Sequence, residues 1–199
     1  MSLDAAILGF LGERPRSGYD LKTRCFDDAA KDFWTADQAQ IYRTLERLQT
    51  AKLVSASRKR QTGRPDRKVY ALTDLGRQTL TAWLASQVPL PAPRDAFLLQ
   101  LYFAAGSPDG DLTDHFQARR HAHQSRLDAL RVDALTAAQD STVSARQASL
   151  RDAAYSGAIA TERAVIDWLD DCIEGLKAGA LPPLGEGQEH RPLYGPSTA

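Results

Sequence analysis

The chain has 199 residues, 43% apolar and 25% charged, with 25 basic and 25 acidic side chains. That length accommodates one or two small domains that can each bury a core, and the composition excludes disorder as the main state. The zero net charge hides an asymmetry: residues 1–88 carry 15 Lys and Arg against 10 Asp and Glu, while residues 38–77 alone carry 10 against 3.

Such a concentrated excess attracts a polyanion, whereas residues 89–199 are acidic, with 10 basic against 15 acidic side chains. Cys25 and Cys172 lie far apart in helical patterns, which argues against a disulfide framework or a metal knuckle. No apolar run approaches the ~18 residues of a membrane span. The first residues lack the basic start and cleavage site of a signal peptide, so the chain is expected to be soluble and cytoplasmic.

Leu3, Ile7, Leu8, Phe10 and Leu11 form a helical stripe that Arg14-Pro15-Arg16 breaks. Ser17 and Asp20 make a capping box for a second helix, with Leu21, Cys25 and Ala29 as its buried face. Thr35 and Gln38 make a second box, with Trp34 as a hydrophobic staple, for a third helix that turns Ile41, Leu45 and Leu48 to one side. At about 100° per residue, Ala36, Ala39, Gln40, Arg43 and Arg47 fall on the opposite side, with Tyr42 at the flank. Arg suits the O6/N7 edge of guanine, Gln suits adenine and an alanine methyl can touch thymine. A solvated face with Glu46 pairing Arg43 is the plain alternative.

Residues 53–57 and 68–73 alternate as two strands, with Gly63 and Pro65 marking the turn between them. That hairpin carries Arg58, Lys59, Arg60, Arg64, Arg67 and Lys68. A helix pair followed by a basic hairpin is the layout of a winged helix-turn-helix, in which one helix enters a groove and the hairpin grips phosphates. Thr73 caps a further helix carrying Leu75, Leu80, Trp83 and Leu84.

Pro89, Pro91 and Pro93 form a stiff linker, so the expected domains are 1–88 for DNA binding, 89–94 as linker and 95–179 as a helical dimerisation domain. A Pro- and Gly-rich tail at 180–199 is expected to be disordered. In the second domain, residues 97–103 form a dense apolar helix. Phe116, Arg120, His123, Leu127, Leu130, Ala134 and Ala137 mark the seam of a long one. A last helix, from about Ser144 to Lys177, turns Leu150, Ile159, Ile166, Leu169, Ile173 and Leu176 inward. The fold class is therefore mainly α with a small two-stranded β wing.

The ordered motifs resemble the PadR family of bacterial transcriptional regulators. They run through residues 6–11, 17–22, Gln40-Ile41-Tyr42-Arg43-Thr44-Leu45-Glu46-Arg47-Leu48 and Gly63-Arg64-Pro65-Asp66-Arg67-Lys68-Val69-Tyr70-Ala71-Leu72-Thr73. The resemblance covers about the first 85 residues and extends more loosely through 97–101 and 162–169. It implies a dimer, usually a repressor, with the third helix in the major groove, and with Gln40, Tyr42, Thr44 and the wing from Arg64 to Lys68 facing DNA. Tyr19 and Thr35, beside the second and third helices, complete the candidate interface. Two positions depart from the family pattern. Arg43 stands where many members have Pro, and Lys52 stands where many have Gly, at the helix exit that commonly needs a left-handed residue.

A single winged helix reads too few base pairs to find one operator in a genome, so a two-fold dimer on an inverted repeat is expected. An aromatic effector pocket is expected near the junction of the two halves, lined by Trp83, Phe97, Tyr102, Phe103 and Trp168. A core role for the same rings is the alternative. No phosphate loop, nucleophile elbow or HExxH pattern is present, and His121 and His123 are two apart, so neither catalysis nor a cofactor nor a metal is expected. Asp111, Asp114 and His115 sit where acids favour a helix start. Cys25, near Lys22 and Arg24, reads as a buried structural thiol rather than a redox sensor. A winged helix that binds a protein partner instead of DNA is the remaining alternative.

Overall fold

The computed structural model describes residues 2–59 and 67–181. The chain divides into two compact units, one through Pro93 and the other from Arg94.

In the first unit α1 (Ser2–Glu13) buries Ala5, Ile7, Leu8 and Leu11, the three- and four-residue spacing of one helical face. The chain then makes a two-residue strand, β1 (Arg16–Ser17), which the sequence pattern did not announce. In α2 (Gly18–Asp20, continuing as wider π-helical turns over Leu21–Ala29) Ser17 and Asp20 form the expected capping box. Leu21, Cys25 and Phe26 are its buried residues, while Ala29 is exposed, because the wider turns rotate the inward face onto Phe26.

The third helix, α3 (Gln38–Thr50), starts two residues later than the sequence suggests. Asp37, not Thr35, is the N-cap, in a capping box with Gln40: the Gln40 N–H donates to the Asp37 carboxylate at 2.7 Å, and the Asp37 N–H donates to Gln40 Oε1 at 3.1 Å. Ala36 is buried in the core with Ile41, whereas Trp34 is 41% exposed, so the staple position belongs to Ala36. At its exit α3 closes with Lys52 N–H on the Gln49 carbonyl (3.0 Å) and Leu53 N–H on the Leu48 carbonyl (2.9 Å). This is a Schellman closure, with Lys52 at φ 60° in the left-handed position.

Strands β2 (Val54–Lys59) and β3 (Arg67–Leu72) pair antiparallel from Val54↔Leu72 to Lys59↔Arg67. β1 adds to the far edge of β3 through Arg16↔Tyr70 and Ser17↔Val69, giving the order β1-β3-β2. Thr73 caps α4 (Asp74–Leu84), as its position suggests, accepting from the Gly76 N–H at 3.1 Å.

The second unit is built on two long helices, α6 (Asp109–Ala138) and α7 (Ala145–Lys177), preceded by α5 (Ala96–Tyr102). The α6–α7 pairing is antiparallel, since Arg120 meets Asp170 while Arg151 meets Asp140 at 2.9 Å. Polar residues occupy the α6 seam because α7 sets carboxylates opposite them: Glu162, itself buried, takes His123 and, at 2.9 Å, Arg126. Phe116, Leu169, Cys172 and Ile173 form the local core. Leu150, expected inward, is 60% exposed because it precedes the stretch of α7 that meets this core. The tail from residue 182 lies outside the described residues.

Candidate nucleic-acid interface

Ile41, Leu45 and Leu48 are essentially fully buried. Exposing any one would cost about 2 kcal/mol, so α3 cannot roll about its axis. This leaves Ala39, Gln40 and Arg43 exposed as a low polar row near its N-terminal end. Arg43 donates from Nε to the Ala39 carbonyl at 3.3 Å, which leaves the far edge of its guanidinium outward. Gln40 commits its side-chain oxygen to the cap, so its amide NH₂ is the group left for a base.

Two expected interface residues are buried, and a third stays exposed without its expected capping role. Ala36 is in the core, as described, because the helix begins after it. Thr44 is 7% exposed, since it follows Ile41 and precedes Leu45 on the face that packs inward. Thr35 is exposed but does not cap. Tyr42 lies over Gly18: a Cβ there would stand 2.7 Å from its ring, so the glycine makes room for the aromatic side chain. Tyr19 is 61% exposed beside it in sequence.

The basic residues also divide. Arg47 pairs with Asp4 of α1, with Nη1 donating at 2.8 Å, an internal partner that no local pattern signals. Arg67 pairs with Asp20 and donates to Ser17 Oγ at 2.9 Å, tying the base of the wing to the cap of α2. Burial alone would raise the Asp20 carboxyl, but hydrogen bonds from the Ser17 backbone, Arg67 and the Ser17 hydroxyl hold it below the usual carboxylate range. Lys68 lies 5.1 Å from the Tyr70 ring centroid, and Arg58 is exposed on β2. The backbone of Lys59 closes the β2 register opposite Arg67. Arg60 and Arg64 lie outside the described residues.

Burial pushes the Cys25 thiol up to about 11, leaving it protonated and inert as a nucleophile near neutrality. Among the described residues no group of three His, Cys, Asp or Glu converges as a metal site, and no helix is long and apolar enough to cross a membrane.

The aromatic set expected around one pocket is split. Trp83 belongs to the first unit and the other four to the second. Phe97 and Phe103, with Leu99, Leu112, His115 and Phe116, line a cavity of about 540 Å³ within the second unit. Trp168 stands behind it, edge-on to Phe97 (6.4 Å) and Phe116 (6.2 Å). Tyr102 does not line it; it is 81% exposed, with its ring perpendicular to that of Phe103.

Residues 7–82 match the model of the transcriptional regulator PadR-like family, and residues 93–177 match that of the virulence activator alpha C-terminal region. The probable transcriptional regulator Rv1176c of Mycobacterium tuberculosis is 35% identical over 190 residues, covering 89% of this chain and 98% of its own. The negative transcriptional regulator PadR of Bacillus subtilis is 33% identical over 129 residues, covering 64% and 70%. The crystal structure of that Bacillus protein in complex with operator DNA matches with a TM-score of 0.77 at 26% identity, over 88% of this chain and 99% of that one. Its complex with p-coumaric acid matches with a TM-score of 0.72 at 26% identity, over 88% and 95%.

Proposed function

Because the chain belongs to the PadR-like family of transcriptional regulators, we propose that it is a cytoplasmic dimeric repressor that binds an inverted-repeat operator and is released by a small aromatic effector. The observation that carries this reading is the fixed presentation of α3. Its buried stripe locks the helix, and the exposed Ala39, Gln40 and Arg43 form a surface low enough to approach base edges. Arg58, Lys59, Arg60, Arg64, Arg67 and Lys68 supply phosphate contacts from the wing, and Tyr19 and Tyr42 flank the helix. The operator-bound Bacillus relative supports the same use of the fold.

The second unit leaves Leu98, Leu99, Phe103, Val132, Leu135 and Leu150 exposed, apolar surface suited to a second copy. The cavity beside Phe97 and Phe103 takes a flat aromatic ligand, with His115 as its polar wall, and the p-coumaric acid complex of the relative supports that ligand class.

Genomic protection mapping tests the proposal. The expected result is a small set of protected inverted repeats at promoters; uniform, sequence-independent protection would refute the operator reading.

A further inference from the structure

The turn between α1 and α2 and the base of the wing build a second basic feature, separate from the exposed row of α3. Arg14, Pro15, Arg16, Asp20, Arg24 and Arg67 line a cavity of about 250 Å³, so its lining carries four arginines and one acidic residue.

Two of the four are fixed by internal partners. Arg16 is 8% exposed, donates to the Phe10 carbonyl at 3.2 Å and the Glu13 carboxylate at 2.7 Å, and lies 5.9 Å from the centroid of the Phe10 ring. Arg67 is held by Asp20 and Ser17. Arg14 and Arg24 differ: both are exposed, and neither has a hydrogen-bond or ion-pair partner among the described residues.

Asp20 and Glu13 thus offset two of the four cations and leave two uncompensated. A carboxylate offers two coplanar oxygens, which one guanidinium fork satisfies. A phosphate presents oxygens in tetrahedral directions and carries the charge to engage several forks at once. We propose that this pocket binds a phosphate group, with Arg14 and Arg24 as its ligands and Arg16 and Arg67 as its fixed floor. The phosphate comes either from the DNA backbone or from a free phosphorylated compound. Only the first source rests on the DNA-binding reading above.

The test uses the full chain and the double variant Arg14→Ala, Arg24→Ala. Two quantities are measured: calorimetric binding of inorganic pyrophosphate, and affinity for a random-sequence duplex as a function of salt. If the phosphate is that of DNA, the double variant loses about two charges from the salt slope, each worth about 0.9 in log–log slope. If the phosphate is free, the wild type binds pyrophosphate and the variant binds it at least about tenfold weaker, with the salt slope kept. A double variant that matches the wild type in both measurements overturns the proposal. Should it melt early, the single change Arg24→Glu repeats the comparison, with the same two results expected. A wild type that fails to bind any duplex at low salt refutes the DNA reading alone, and the pyrophosphate measurement then decides the pocket.

Discussion

The carbonyl oxygen of Leu53 occupies the space where a side chain on Gly76 would begin: a Cβ there would stand only 2.1 Å away, with the Leu72 side chain at 2.8 Å. The same oxygen accepts from the Thr73 N–H at 3.1 Å and from the Thr73 hydroxyl at 2.9 Å, so it cannot retreat without breaking the cap of α4. Gly76→Ala is therefore expected to destabilise the first unit by about 3 kcal/mol, since backbone must shift to admit one methyl. Urea unfolding followed by circular dichroism reads this directly. A loss below about 1 kcal/mol would mean that the contact relaxes freely.

Lys52 sits at φ 60°, a conformation that costs a residue with a Cβ about 1–2 kcal/mol. Lys52→Gly is expected to stabilise the protein by about 1 kcal/mol, less what glycine loses in unfolded-state entropy. Lys52→Ala, which keeps the Cβ, should change little. The pair of variants separates backbone relief from loss of a charge, and equal unfolding midpoints for Gly and Ala would remove the explanation.

Arg43→Ala is expected to cost about 1–3 kcal/mol on the preferred operator and to relax one base position. Asp4→Ala should act in the other direction, because it frees Arg47 from its internal pair. Binding to any duplex should then steepen in salt dependence by about one charge. Folding stability should fall by no more than about 1 kcal/mol, as for other exposed pairs. Affinity measured across a salt series distinguishes the two roles, and an unaltered slope in Asp4→Ala would show that Arg47 faces no phosphate.

The first unit has its own core, from Ile7 and Leu8 through Ile41, Leu45 and Leu48 to Tyr70 and Leu72. A chain ending at Pro91 should therefore fold as a monomer with weak, mostly non-specific DNA binding, because two tethered heads multiply their affinities. Analytical ultracentrifugation and operator titration check this. Full operator affinity in the truncated chain would argue that dimerisation through the second unit is dispensable.

Ligand entering the cavity beside Phe97 and Phe116 should perturb Trp168, which meets both rings edge-on. Titration with phenolic acids and planar cationic drugs should quench Trp emission and release operator together. Trp168→Phe should abolish the optical response, while Trp83→Phe should retain it. If no compound produces both effects, the rings serve only as core.

Signals that act within about one helical turn were legible in the sequence. The Ser17–Asp20 box, the Thr73 cap, the Ile41–Leu45–Leu48 stripe and the alternation of the two wing strands each arise from groups a few residues apart, whose geometry the backbone itself sets. The left-handed exit at Lys52 was legible only through the family pattern, because its own side chain gives no local sign of it.

Tertiary packing also overrode a local signal. Thr35 with Gln38 has the spacing of a cap, but α3 starts at the Asp37–Gln40 box, the register in which Ala36 joins Ile41 in the core. The partners of the charges were decided in the same way: Arg47 meets Asp4 across 43 residues, and Arg67 meets Ser17 across 50. Thr44 turns inward and β1 joins β3 for the same reason, since both depend on how finished elements dock. Periodicity and caps fix what each segment becomes, whereas burial and long-range charge pairing exist only after the segments meet, so they were settled by the tertiary structure alone.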